Sequence, residues 1–549
     1  MEIQESADSQ MTAVAKTLTL RKALTTEVEH PSLLRATRLS ALLAGFGNHF
    51  KARNLAGSSF SESESKELFA LSREVKEIDG FVSHCWKSSR MGKLLALLVY
   101  SNMVAATVVS AVVAGIVGIM LSQGLLPTRP VHSDVGKSYH YGPWCYFSGS
   151  LAFFFTFFYW QVVADYIGLG KSYFFDKLCV HQCDKERQVA GILSFAAFVA
   201  KSQEFILLWD NLHFTRLWCT LEMASLVRTH SNERLPMTFL PIQLASVAVV
   251  GWSVFFFCQG LHCVNKVLNE ILPVLPCVAV SVVVGYVGLA RELRKYMVQR
   301  EALSNQLATF KVKEAFCFLE RDREFVNNTL VEWFGSLEAF DQHVHTTIKQ
   351  KVLSTIGSEL HYPLKYIWPF FPIRVYQEMD FVICGSYEAE ADALLTSRVA
   401  GTLSWAFLLL TLFPVGLRVA SFAKKTFESW WKDAAMTLGV SLVSAVYTVG
   451  LWYVMNNVIV IFPSYVSIPC MLLSLLWAVW LLRGSFLKAV DRQASERGKG
   501  QVDVDIGVRC FELGPESGCP AVGGGVIALA GENVVDTDEK VDNVIRFYL

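Results

Sequence analysis

Residues 173–229 read YFFDKLCVHQCDKERQVAGILSFAAFVAKSQEFILLWDNLHFTRLWCTLEMASLVR. An apolar run from Tyr173 to Phe175 ends on an acid, Asp176, and a polar loop follows. Apolar residues then recur at helical spacing, at Val189, Ile192, Leu193, Ala196 and Val199. A second short apolar run, Phe205 to Trp209, also ends on an acid, Asp210, and RLWCTLEM after it opens another amphipathic helix. Strand, helix, strand, helix with short links predicts a parallel sheet covered by helices.

The rest of the chain is dominated by charge-free windows. Of 549 residues, 52% are hydrophobic, and 49 Lys/Arg balance 49 Asp/Glu. That composition excludes a disordered or collagen-like chain and gives no field for nucleic acid as a partner. Residues 94–128, 138–164, 235–265, 271–290, 399–417 and 434–482 contain no Asp, Glu, Lys or Arg. A bilayer core needs about 20 apolar residues per helix. Five windows hold one span each and 434–482 holds two, which predicts a multi-pass α-helical membrane protein of about 6–7 spans, with the lipid bilayer as its first partner. The N-terminus lacks a signal peptide's apolar core, so the expectation is a cytosolic start, and the 13 cysteines, with no paired spacing, are expected reduced.

Along the chain, residues 1–78 are polar, with a Ser/Glu run at 58–65, and read as a mostly disordered tail with short helices such as 30–43. Residues 79–102 hold a buried strand, DGFVSHCW, a polar loop and a helix that runs into the membrane. A membrane hairpin occupies 103–164, with spans at about 103–123 and 145–163. In the first span Ser110, Ala114 and Gly118 fall every four positions, which lets a partner helix approach closely. The sheet-forming segment is 165–243, and a second hairpin, 244–290, carries spans three and four. A cytosolic helical segment is expected over 291–398, where Phe340, Val344, Ile348 and Val352 repeat every fourth residue. Spans five to seven lie within 399–483, and 484–549 reads as a mobile, Gly-rich acidic tail.

Eight Lys/Arg in 165–237 and 13 in 291–398 place both segments in the cytosol by the positive-inside rule. The same rule meets a conflict further on. Arg418, Lys424, Lys425 and Lys432, and then Arg483, Lys488 and Arg492, also call for the cytosol, yet three spans counted from 291–398 put both groups outside. A re-entrant span five, with Pro414 and Gly416, is one way out; the sidedness of the C-terminus stays open.

Because a pair of spans returns the chain to the side it left, the strands near 81–83, 173–176 and 205–209 can assemble into one cytosolic sheet. Taken together, FVSHCW at 81–86, FFDKLCVHQCD at 174–184 and SQEFILLWDNLHFTRLWCTLEM at 202–223 resemble the first three strands of a TIR domain and the Trp-Cys-x-x-Glu helix that follows them. Residues 235–240 are similar to its fourth strand. The resemblance covers about 100 residues and also extends to uncharacterised multi-pass proteins of single-celled algae. It implies a cytosolic α/β flavodoxin-like domain, split here by a membrane hairpin and without a clear fifth strand.

The resemblance also implies chemistry. TIR domains act as signalling adaptors that self-associate, and some hydrolyse NAD. On that reading Glu222 takes the catalytic glutamate position, with NAD as substrate. A carboxylate there would stabilise an oxocarbenium-like ribose or orient its hydroxyls. Trp86, Lys87, Ser88 and Arg90 follow the first strand, where a doubly wound fold binds nucleotides, and offer an aromatic for stacking and cations for phosphate. The plainer reading has Glu222 facing solvent while Trp218 and Cys219 fill the core. Cys179, His181 and Cys183 alternate and would share one face of a strand, where His84 or Cys85 could complete a zinc set. Loop and core packing is the commoner role, and no metal is assigned. Asp176 and Asp210 are expected to cap the elements after them. Trp430 and Trp431 are expected at the membrane interface. A channel or transporter would need polar residues in the spans, where only Asn456, Asn457 and scattered Ser and Thr occur.

Overall fold

The computed structural model describes residues 24–51 except 25 and 29, then 61–132, 138–230, 235–268, 274–317, 320–356 and 363–385 except 368. Beyond these it describes 403–404, 411–412, 414–423, 429–461, 469 and 472–477. The chain is mostly helical around one six-stranded mixed sheet. Its strands are β1 (Arg35–Arg38), β2 (Ser72–Glu74), β3 (Gly80–His84), β6 (Ser172–Phe174), β7 (Phe205–Trp209) and β8 (Met237–Pro241). β4 (Arg129–His132) and β5 (Ser138–Tyr141) form a separate antiparallel pair. The sheet order is β2-β1-β6-β3-β7-β8, in which β6, β3, β7 and β8 run parallel and β1 and β2 extend the β6 edge antiparallel. All five residues of GFVSH and all five of FILLW are buried, as strands covered on both faces should be.

The N-terminal segment corrects the expectation of a mostly disordered tail. Residues 35–38 form a strand paired with Tyr173 and Ser172, and the helix expected over 30–43 is instead β1 followed by α1 (Leu39–Gly47). A four-residue strand flanked by arginines shows too little alternation to be legible alone. Ala36 and Thr37 are nonetheless fully buried, and Arg35 donates to Ser72 Oγ at 2.9 Å. Residues 1–23 lie outside the described residues.

Among the described residues four helices are long and apolar enough to cross a membrane: α2 (Arg90–Ser122), α3 (Trp144–Tyr166), α5 (Ile242–Val267) and the Trp430–Leu451 part of α8 (Trp430–Ile461). Between β7 and β8 runs α4 (Leu217–Thr229), and α6 (Val274–Thr309) follows α5. Spans five and seven and the tail from 484 lie mainly or wholly outside the described residues.

α2 and α5 each do two jobs. Leu94, Leu97 and Leu98 of α2, and Leu244, Ala245 and Ala248 of α5, are buried in the same core as the sheet. Tyr100 of α2 donates to Glu204, the residue before β7, so this helix passes the amino edge of the parallel strands before its span begins. The spans therefore leave the sheet at that amino edge, and the carboxyl edge points away from them. Asn102 locks the first hairpin there, donating to Phe157 O at 2.8 Å and Gln161 Oε1 at 2.6 Å. Among the described residues no strand pairs with the outer side of β8; the helix Lys349–Ile356 lies against it. Phe340, Val344, Ile348 and Val352 are fully buried, as their spacing predicts.

Candidate functional site

The carboxyl ends of β3 and β7 bring together residues from three elements. Ser83 leaves β3 in register with Leu207 of β7. After β7, Asp210 Oδ1 accepts Leu212 N at 3.1 Å and turns the chain, which sets His213 against the sheet. α4 begins where Arg216 is fixed beside Phe316, its guanidinium 4.7 Å above that ring. Leu217, Leu221, Ala224 and Leu226 then bury the helix face, and Glu222 is carried over the end of β3.

Ser83 Oγ donates to Glu222 Oε2 at 2.5 Å and lies 2.9 Å from His213 Nε2. One hydroxyl hydrogen serves one acceptor, so with the carboxylate ionised His213 donates through Nε2 and the serine passes the bond on. Glu222 keeps part of its surface accessible, whereas Ser83 and His213 are fully buried. Burial pushes the Glu222 carboxyl up to about 8; the Ser83 bond opposes this and the charge of Asp176 adds to it. Burial drives His213 down to about 3, so its ring is neutral. His213 Nδ1 finds no partner among the described residues. Cys219 lies one turn before Glu222 and its thiol reaches His84 O at 3.6 Å; burial holds it well above the ordinary thiol range.

His213, Cys219 and Glu222 offer ligand atoms within 4.8 Å of one another. Zinc bonds of about 2.0–2.3 Å would require these atoms to draw together and the thiol to lose its proton. Cys179, His181 and Cys183, the alternative zinc set, do not share one face of a strand, because residues 176–179 make a helical turn. Cys179 takes Phe175 N inside the core, His181 stands beside Phe69 and accepts Asp184 N at 2.9 Å, and Cys183 reaches Ser61 O.

A second group lies at the neighbouring end of β6. Trp86 donates its indole N–H to Asp176 Oδ2 at 2.6 Å, and Lys177 Nζ lies 4.4 Å above the Trp86 ring. Lys177 is held there by Lys51 O at 2.8 Å. Asp176 Oδ1 caps its own turn through Lys177 N, and burial raises its carboxyl. His84 stacks on Phe175 and is kept neutral by burial and by Lys93 and Lys177, so its 3.9 Å approach to Asp176 is not an ion pair.

The residues singled out after β3 do not share one open face. Trp86 is half-buried, Lys87 is exposed, Ser88 is buried and Arg90 turns away to donate to Phe46 O at 3.1 Å. Glu222 faces Ser83 and His213, partners that sequence reasoning did not name. Ser83 stood inside the quoted FVSHCW and His213 inside DNLHF, but neither spacing signals a contact across 130 residues. A cavity of about 230 Å³ lies at the other edge of the sheet, lined by Tyr100, Asn102, Trp160, Gln161, Asp165 and Lys171 among others, remote from Glu222. Comparisons with protein-family models, curated proteins and solved structures gave no match.

Proposed function

We propose that this chain is a multi-pass membrane protein that presents a TIR-like, flavodoxin-like domain on the cytosolic face and signals there, and that its chemistry is cleavage of NAD at Glu222. The observation that carries this reading is the carboxyl of Glu222 held against Ser83 between β3 and β7. The parallel strands β6-β3-β7-β8 come second, first, third and fourth along the chain, a doubly wound order. In such sheets ligands bind beyond the carboxyl ends, where the winding reverses, and β3 and β7 flank that point. The bond broken would be that between nicotinamide nitrogen and ribose C1′. Nicotinamide leaves with the electron pair, water adds to the oxocarbenium carbon and its proton is released, giving ADP-ribose. An ionised Glu222 supports the positive ribose as it forms, and Ser83 and His213 fix the direction in which it points. Self-association through the same domain belongs to this reading.

A pure adaptor would present an ordered, exposed loop over 178–188. Leu178, Cys179, Val180, His181 and Gln182 are buried, whereas Cys183 and Asp184 are half-buried and Glu186 and Arg187 exposed, so only the second half of this loop is open to a partner. The experiment is NAD turnover by the purified full-length protein in detergent at high concentration, beside Glu222→Ala. Turnover lost in the variant supports the proposal. No turnover in either, with both folded, leaves the interaction role.

A further inference from the structure

The helix α7 (Phe370–Gly385) carries Arg374, Gln377, Glu378 and Asp380, and so falls in none of the charge-free windows. Its neighbours are nevertheless the membrane helices. Tyr376 OH meets Ser110 Oγ at 2.8 Å in α2 and lies over Gly149 of α3. Met379 and Ile383 lie against Gly118, further along α2. Asp380 accepts Cys145 N at 2.8 Å and Tyr146 N at 2.9 Å, capping the start of α3. Phe381 stacks on Tyr141 of the β4–β5 connection, at 4.6 Å. At the other end, Trp252 of α5 donates to Tyr366 O at 2.8 Å and packs against Phe157, at the level where α2 and α3 leave the sheet. Ser110 and then Gly118, which stands beside Cys145, thus mark successive depths, and α7 runs past both towards the connection farthest from the sheet.

We propose that α7 is itself a membrane-crossing helix, running from the sheet side to the opposite side, with Arg374, Glu378 and Asp380 forming a polar centre inside the bundle. α7 has 16 residues, and with the turn Leu364–Ile367 before it the stretch to Gly385 is 22, against the roughly 20 that a bilayer core needs. The charges are compensated where they stand. Arg374 pairs with Glu378 and donates to Gln377 Oε1 at 2.6 Å. Asp380 sits on the positive end of the α3 dipole and takes two of its free N–H groups. Charges paired or capped in this way can reside in a bundle that would reject them singly.

This crossing removes the conflict in charge placement. Arg294 of α6, next to Leu293 in the sheet's core cluster, donates to Ala423 O at 2.8 Å, Thr437 Oγ1 at 2.6 Å and Asp433 Oδ1 at 2.8 Å. Residues 423 and 433 therefore lie on the sheet side. A chain that reaches the far side at Gly385 must cross back before them, and 399–417 is the charge-free window that lies between. Thr411 Oγ1 lies 2.9 Å from Tyr447 OH within α8, while Leu417 and Ala420 are buried in the sheet's own core cluster. The basic residues Arg418, Lys424, Lys425 and Lys432 then share the side of the sheet. With two spans in 434–482, so do Arg483, Lys488 and Arg492, as the positive-inside rule requires.

The test is protease protection in sealed vesicles, using the full chain with an epitope at its N-terminus and a second one either directly after Gly385 or within residues 424–428. In vesicles whose N-terminal epitope is digested from outside, the 424–428 epitope should be lost with it. The epitope after Gly385 should survive until detergent is added. Loss of the latter in intact vesicles, or survival of the former, overturns the proposal. Since an insertion beside a buried helix can unfold the bundle, hydrogen exchange on the unmodified chain in a lipid nanodisc gives a second readout. Amides of Phe370–Gly385 should exchange as slowly as those of α2 and α3; exchange as fast as in the exposed helix Glu62–Ala70 also overturns it.

Discussion

Glu222 combines two properties that pull against each other. A carboxyl meant to stabilise a ribosyl cation must be ionised, yet burial lifts this one to about 8. In the free protein at neutral pH much of it is protonated, so kcat/KM for NAD cleavage should rise with pH through about 8 and level off above it. A pH profile that is flat from 6 to 9 would remove Glu222 from the rate-determining chemistry. Ser83→Ala should lower kcat/KM about ten- to hundredfold, the range for losing a hydrogen bond to a charged group. Stability follows the same group. A carboxyl whose folded value is raised from 4.5 to about 8 contributes stability that is complete below 4.5 and lost as pH rises through 8. His213 acts in the opposite direction, costing stability as pH falls below 6.5 towards 3. Between pH 6.5 and 8, then, only the glutamate of this pair works. Over that interval melting of the wild type should fall more steeply than that of Glu222→Gln, and parallel curves would refute the assignment. The sequence pointed at Glu222 through a short motif, but Ser83, which donates to it, comes from a strand 139 residues away, which no local pattern encodes.

At the scale of elements, the strands near 173 and 205 were legible as continuous apolar runs ending on acids, and GFVSH and the strand near 237 as short apolar runs without one. Two kinds of element were not legible. β1 is four residues long and owes its strand to pairing with β6, a tertiary effect. α7 was hidden because its charges break the apolar window, although Arg374 and Glu378 pair within the helix and Asp380 is met by N–H groups of α3. Its seat depends on small residues. A Cβ on Gly149 would stand 2.6 Å from the Tyr376 ring and 2.9 Å from Ala114, neither of which is a flexible chain end. Gly149→Val should therefore cost about 1–3 kcal/mol by overpacking, read as a lower melting temperature in detergent. Tyr376→Ala placed in the same chain should recover part of that loss, a coupling that a purely local effect on α3 would not show.

At the scale of the whole molecule, sheet and bundle share one core, because α2 and α5 cover the sheet with their first turns and cross the apolar layer with the rest. The sequence showed both halves but not the joint, since a single charge-free window such as 235–265 serves two environments. The joint makes the N-terminal segment a structural part. β1 and β2 close the β6 edge, Phe50 meets Phe175 edge-on at 5.3 Å, and the carbonyl of Lys51 holds Lys177 over Trp86. A chain beginning at residue 76 would expose the β6 ladder and the apolar surface beneath Ala36, Leu39 and Leu42, the condition that invites edge-to-edge association. It should elute from size exclusion in detergent as a broad aggregate and lose the slow exchange of β6. A monodisperse peak with unchanged melting would mean that β6 and the Trp86 corner are stable alone, and that residues 35–74 only decorate the edge.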